Sequence, residues 1–235
     1  MSTYWITREP TENKAGWEYG LPPGIKPEQW PRHSASGLPL VHGFTIRVPP
    51  EFRAKGSERV ALSYFHPGNS ESYPQTSERI QALMDGEPLL DSERSDPFFA
   101  ALASHVAASH PAIDVFTDIL DHDHAIVWHT EQDFSGARCP RPSEALPSGM
   151  SGEAMDLGEP VGEESPLFLT QEEPKRVLIQ LGWPLHPVQC SQEDLEDRGF
   201  GPLVLEIETD VGGVNYGDGN CQIDLENGLL DWACT

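Results

Sequence analysis

The stretch from Gly201 to Cys234 constrains the fold most, because it carries the clearest periodicity in the chain. Leu203, Leu205 and Ile207 alternate with Val204, Glu206 and Glu208. Cys221, Ile223 and Leu225 alternate with Gln222, Asp224 and Glu226, and residues 229–232 form a third apolar run. A period of two sends successive side chains to opposite faces of a strand. The stretch is therefore expected to form a sheet with one buried face and one wet face, the latter lined by Glu206, Glu208, Asp224 and Glu226. Asn227 and Gly228 both tolerate positive φ and predict a tight hairpin between the last two strands. No nucleophile–base pair and no metal-ligand spacing lies in this stretch.

The rest of the composition agrees with a protein of strands and turns. Of 235 residues, 22 are Pro and 21 are Gly, and only 37% are hydrophobic. That mix suits an α+β fold, mainly antiparallel sheet, with a few short helices and long loops. The length allows one large or two small domains; we expect a single domain over residues 1–235, with a half-boundary in the polar loop 134–166. No apolar run approaches the ~20 residues that span a bilayer, and the N-terminus has no secretory apolar core. A cytoplasmic chain is expected. Cys139, Cys190, Cys221 and Cys234 form no C-x-x-C pair and read as small apolar residues rather than disulfides or zinc ligands.

Charge is the dominant compositional feature. The net charge is −23. Residues 1–60 hold eight Lys/Arg and six Asp/Glu; the remainder holds seven against thirty-two, so +2 and −25 sum to that total. Such a field repels nucleic acid and anionic membranes and draws in cationic proteins.

Further along the chain, residues 1–29 read as mostly irregular, anchored by Tyr4, Trp5, Trp17 and Tyr19. Leu40, His42, Phe44, Ile46 and Val48 share one parity, which predicts a strand beginning after Pro39, with His42 a core histidine bonded to backbone. Residues 60–65 are its hairpin partner. Thr76 or Ser77 caps a short helix over 78–85, and Asp96-Pro97 opens a longer one to about Ser109. Residues 111–133 read as strand, acidic turn, strand. Residues 176–181 form another strand, and Ser191 caps a single acidic helical turn over 191–198.

Asp121-His122-Asp123-His124 is the one cluster of metal-compatible side chains. On an extended chain His122 and His124 point the same way, as ligands of zinc or manganese would. A catalytic site there needs a further ligand, for which His66 and His186 are the candidates. No H-E-x-x-H spacing supports it, and a solvated acidic turn is the expected reading, with no resident metal or cofactor. The Tyr216-Gly217-Asp218-Gly219-Asn220 turn lacks calcium-loop spacing and reads as a sheet corner.

Two regions rhyme. Trp30-Pro31 precedes Pro39-Leu40-Val41 and a strand, and Trp183-Pro184 precedes Pro202-Leu203-Val204 and a strand. Together they suggest two similar sheet halves. With Gly182-Trp183-Pro184, Gln189, and Tyr216-Gly217-Asp218-Gly219-Asn220 leading to Cys221-Gln222-Ile223-Asp224-Leu225, the chain resembles the YwqG-like family of uncharacterised bacterial proteins. It departs from that pattern at Asn220-Cys221-Gln222, where a more apolar run is expected, and over residues 77–133. The resemblance implies an α+β fold, no established catalytic residue, and a setting among bacterial toxin–immunity loci. The expectation is thus a non-enzymatic immunity protein that neutralises a basic antibacterial toxin, a nuclease effector of a type VI or related secretion system. Its contacts would be Glu206, Glu208, Asp224 and Glu226, the group Glu193, Asp194, Glu196 and Asp197, and Asp121 with Asp123. The alternative is a metal-dependent hydrolase built on residues 121–124, and a third reading is a scaffold protein with no toxin partner.

Overall fold

The computed structural model describes residues 2–68, 77–108, 110, 112–143 and 163–234. Thr76 and most of the 134–166 loop lie outside them. The described strands are β1 (Tyr4–Thr7), β2 (Lys14–Glu18), β3 (Val41–Arg47), β4 (Ala61–His66), β5 (Ile113–Thr117), β6 (Asp123–His129), β7 (Ser165–Thr170), β8 (Ile179–Leu181), β9 (Val204–Glu208), β10 (Asn220–Asp224) and β11 (Leu229–Ala233). They form one antiparallel sheet in the order β11-β10-β9-β8-β1-β7-β2-β3-β4-β6-β5. The sheet curls until its two end strands approach each other, giving a nearly closed barrel. Four short helices pack around it among the described residues: α1 (Glu78–Met84), α2 (Pro97–Ala107), α3 (Glu131–Phe134) and α4 (Gln192–Asp197). The fold is α+β and mainly antiparallel sheet, as expected. No helix of the described residues is long and apolar enough to cross a membrane.

The connectivity gives the two halves a reciprocal arrangement. β2, β3, β4, β6 and β5 run as neighbours on one side, and β8 to β11 on the other. Between them, β1 pairs with β8 while β7 pairs with β2. Each half lends its opening strand to the other, and β1 and β7 pair at the middle. Residues 1–29, expected to be irregular, therefore supply two central strands. They are short, and β2 carries a bulge between Lys14 and Gly16, so neither shows a readable alternation. β7 was likewise hidden, since residues 165–170 adjoin a loop-like composition.

The barrel interior is filled by the apolar parity of nearly every strand, including Ile6, Phe44, Ile46, Leu62, Tyr64, Ile126, Trp128, Leu167, Leu205, Ile207, Cys221 and Ile223. Three smaller clusters cover the outside. Trp30, Leu40 and Phe65 hold the 21–40 segment against β4 and β6. Leu38 seats the α1–α2 pair through Ile80, Phe98 and Leu102. Leu185, Leu195 and Phe200 hold the 183–200 segment, with α4, over Val204. β4 and β6 are consequently buried on both faces. A bulge between His42 and Phe44 splits the parity expected for β3. His42 faces the outer cluster with Phe65, while Phe44 and Ile46 face the barrel. The ring still bonds to backbone, its Nδ1 donating to Gly20 O at 3.3 Å. Ser77 caps α1 and Asp96 caps α2. The last hairpin is wider than predicted: Asp224 faces Leu229 across a four-residue connection, in which Gly228 alone has positive φ.

All four cysteines are free. Cys139 and Cys221 are buried as expected, Cys190 is half-buried and Cys234 is exposed. Burial pushes the Cys139 thiol up to about 11, so it stays protonated and unreactive at neutral pH.

Candidate functional site

The acidic groups singled out in the sequence separate into a surface set and an interior set. α4 supplies the core of the surface set. Ser191 caps the helix, its hydroxyl accepting from the Asp194 amide at 3.1 Å, and the Asp194 carboxylate accepts in return from the Ser191 amide at 2.7 Å. This reciprocal box satisfies two N–H groups that the helix leaves unpaired. Those bonds also hold the Asp194 carboxyl below its ordinary range. Leu195 is fully buried and pins the helix down, which leaves Glu193, Asp194, Glu196 and Asp197 exposed, Asp194 with its carboxylate turned to the cap. Arg198 follows, and it is engaged with Asp231 at 3.0 Å.

The β10–β11 connection is stitched to the exit of α4 by Asp224. Its Oδ1 accepts from the amides of Glu226 (2.9 Å) and Asn227 (2.8 Å), and its Oδ2 accepts from the Gly201 amide. Asn227 Nδ2 donates to Asp224 Oδ2 and to Gly199 O. Glu226 is exposed and is thereby placed beside the end of α4. Glu193, Glu196 and Asp197 are thus exposed on α4, and Glu226 is exposed on the connection tied to the helix's exit.

Asp224 itself is not on that surface. It has no exposure, and Glu206 has 1%. The face expected to be wet is covered by the 183–200 segment, so the alternation of β9 and β10 separates an apolar buried layer from a polar buried layer. Gln222 Nε2 and the His186 amide both donate to Glu206 Oε2 at 2.9 Å. Gln222 Nε2 also reaches Asn220 Oδ1, and Asn220 Nδ2 donates to His186 O at 2.8 Å. Trp5 Nε1 donates to Gln180 Oε1 at 2.8 Å in the same layer. Loss of water raises the Glu206 carboxyl, and the bonds from Gln222 and His186 only partly offset this. Glu208 is half-buried at the rim and is raised for the same reason. Glu206 and Asp224 are therefore structural, contrary to the expectation that they face a partner.

The 118–124 turn divides similarly. Asp121 is exposed with φ 60°. Asp123 is buried, its Oδ2 accepting from the Ser34 amide at 2.6 Å and its Oδ1 from Thr117 Oγ1 at 3.1 Å. Of the ten predicted contact residues, Asp123 joins Glu206 and Asp224 in the interior.

His122 and His124 do converge, and they converge on Asp118. His124 Nε2 lies 3.3 Å and His122 Nδ1 3.6 Å from Asp118 Oδ2, which also accepts from Trp232 Nε1 at 2.9 Å. Asp118 Oδ1 accepts from the amides of Leu120 (2.8 Å) and His122 (2.9 Å). On its other side His124 Nδ1 lies 2.7 Å from Tyr64 Oη, which lies 2.6 Å from Tyr216 Oη. The result is a buried relay, Tyr216 to Tyr64 to His124 to Asp118. Both tyrosines are pushed well up by burial. His66 stacks on Tyr64 but bonds Gly212 O, and His186 lies on the outer layer. Among the described residues no group of three or more His, Cys, Asp or Glu is placed to hold a metal ion.

Three features had no reading in the sequence. One is the relay, since Asp118 and Tyr216 lie 98 positions apart and nothing local marks them as neighbours. The second is a chain of hydrogen bonds across the outer face: His129 Nε2 to Ser63 Oγ (2.7 Å), Ser63 to Thr45 Oγ1 (2.6 Å), and Thr45 to His42 Nε2 (2.8 Å). Burial holds His42 and His129 down to about 3, so both are neutral. The third is a cleft of about 330 Å³ beside Trp17, Phe134 and Lys14, where the Arg138 guanidinium lies 3.3 Å over the Trp17 ring. No protein-family model, characterised protein or solved structure matches this chain.

Proposed function

We propose that this protein is an acidic binding protein that docks a cationic protein partner, in the manner of an immunity protein that neutralises a basic toxin such as a nuclease. The acidic ridge of α4, Glu193, Glu196 and Asp197, with Glu226 exposed on the neighbouring connection, carries the reading. The α4 carboxylates are exposed on a helix capped and anchored in place, and the arginine that follows them is engaged with Asp231. Cations elsewhere on the surface are similarly matched: Arg47 with Glu131, Lys55 with Asp114, Arg79 with Glu93 and Arg138 with Glu164. With these cations locally matched, the surplus of −23 dominates the external field. A nuclease needs a positive surface to hold phosphate, and an acidic ridge competes for that surface. The resemblance to the YwqG-like family points the same way. Asp121, on a separate rigid turn, is a second contact in this reading.

The test is association with a cationic toxin encoded beside this gene, followed by stopped-flow at rising salt. Replacing Glu193, Glu196 and Asp197 together by Lys is expected to slow association about tenfold or more at low ionic strength, with the difference shrinking as salt is added. Equal association rates for the two proteins would remove the ridge from the interface.

A further inference from the structure

A second cleft, of about 540 Å³, lies between the N-terminal strands and the segment after β9, lined by Arg8, Tyr19, Arg176, Asp210, Val214 and Asn215 among others. Arg8, in its wall, is held by Glu18, the last residue of β2, which has no exposure. Both Glu18 oxygens take Arg8, through Nε and through Nη2 (2.8 Å), and Oε2 also accepts from the Gly212 amide at 3.0 Å. Glu18 is buried while Arg8 is partly exposed, and in such a pair desolvation of the carboxylate cancels much of the attraction. The pair is a good device for orientation. Arg8 is gripped along one edge, its Nη2 reaching also to Asp210 O at 3.3 Å, and among the described residues Nη1 has no hydrogen-bond partner.

The backbone around the cleft is strained. Tyr19 (φ 58°) and Asp210 (φ 72°) are two of the three non-glycine residues with positive φ among those described, and both line it. Such conformations cost on the order of 1 kcal/mol or more each and persist only where the surroundings enforce them. Here the Tyr19 amide donates to Gly43 O at 2.8 Å. Gly212 packs so closely on the same residue that a Cβ would lie 2.2 Å from Gly43 O. The clamp holds the 18–20 and 210–214 segments in place.

The charges decide what the cleft would take. Glu18 is committed to Arg8. Arg176 and Asp210 face each other loosely at 3.9 Å with both side chains mostly exposed, an arrangement that contributes little and is easily exchanged. A plain anion would meet Asp210, and a plain cation would meet two arginines. A dipolar molecule satisfies both. We propose that this cleft binds a small zwitterion of the α-amino-acid class, its carboxylate on Arg176 and Arg8 Nη1 and its ammonium on Asp210. The site is independent of the acidic ridge.

The experiment titrates the full chain with L-alanine, acetate and methylammonium and follows the side-chain ¹H–¹⁵N signals of Arg8 and Arg176. Saturable shifts with L-alanine are expected, with acetate binding about tenfold more weakly because one charge-assisted bond is missing. Asp210→Asn keeps a side chain that tolerates the left-handed backbone and should lower L-alanine affinity to that of acetate. Acetate binding the wild-type protein as tightly as L-alanine, or arginine signals that do not move with L-alanine, would overturn the proposal.

Discussion

Asp118 shows how much a single carboxylate organises here. Burial pushes its carboxyl up, but the bonds from His124 and from the amides of His122 and Leu120 outweigh that and hold it down to about 2. The ordinary value is 3.8, so the group contributes stability that is complete above about pH 4 and is lost as pH falls through about 2. That contribution is about 2 kcal/mol. Asp118→Asn keeps one acceptor and turns a donor toward groups that already donate, Trp232 Nε1 and His124 Nε2. The variant is expected to lose about 2–4 kcal/mol at neutral pH, and its urea midpoint should vary less between pH 4 and 2 than that of the wild-type protein. An unchanged midpoint at pH 7 would show that the turn does not depend on this hub. Glu206 is the opposite case, a carboxylate whose burial is offset only in part, held where Gln222 and the His186 amide meet it.

At the scale of the element, the tightest of the described glycines lies at the entry to β10. A Cβ on Gly219 would lie 1.6 Å from Ala233 O, a distance no side-chain rotation relieves. Gly219→Ala should therefore push β11 off β10 and cost about 3 kcal/mol or more, with amide exchange accelerating first over residues 229–233. Uniform exchange across the sheet in that variant would argue against a local cause. The same elements show what was legible in the sequence. Alternation located β9 and β10, and a short apolar run located β11, because an apolar face leaves its mark whatever covers the other side. It did not disclose that the polar face is buried, since the covering layer is a segment some twenty residues upstream whose own pattern is Trp183, Leu185 and Leu195 at irregular spacing. β1 and β2 escaped because neither Tyr4–Thr7 nor the bulged Lys14–Glu18 sustains an alternation of apolar with polar residues, and their pairing with β7 and β8 is wholly non-local. The histidines at 122 and 124 were readable as convergent; their common target was not. The α4 carboxylates were legible because a capped, four-acid turn is a local feature.

For the whole molecule, −23 of net charge on a folded chain means self-repulsion that the unfolded chain partly escapes. Screening should favour the compact form. Raising ionic strength from 0.01 M to 0.15 M shortens the Debye length from about 30 Å to about 8 Å, and the thermal midpoint is expected to rise with it. A midpoint that falls would mean that the surface ion pairs outweigh the repulsion. The arrangement of strands sets a further condition. β5 and β11 end the sheet on either side and come close without sharing a ladder. What joins them is lateral: Trp232 on β11 donates to Asp118 just beyond β5, and its ring packs on Tyr216. Among the described residues the cylinder is latched by side chains rather than welded by a ladder. Loosening Trp232 from Asp118 would part β5 from β11 and leave two rails, each able to accept a strand from a neighbour.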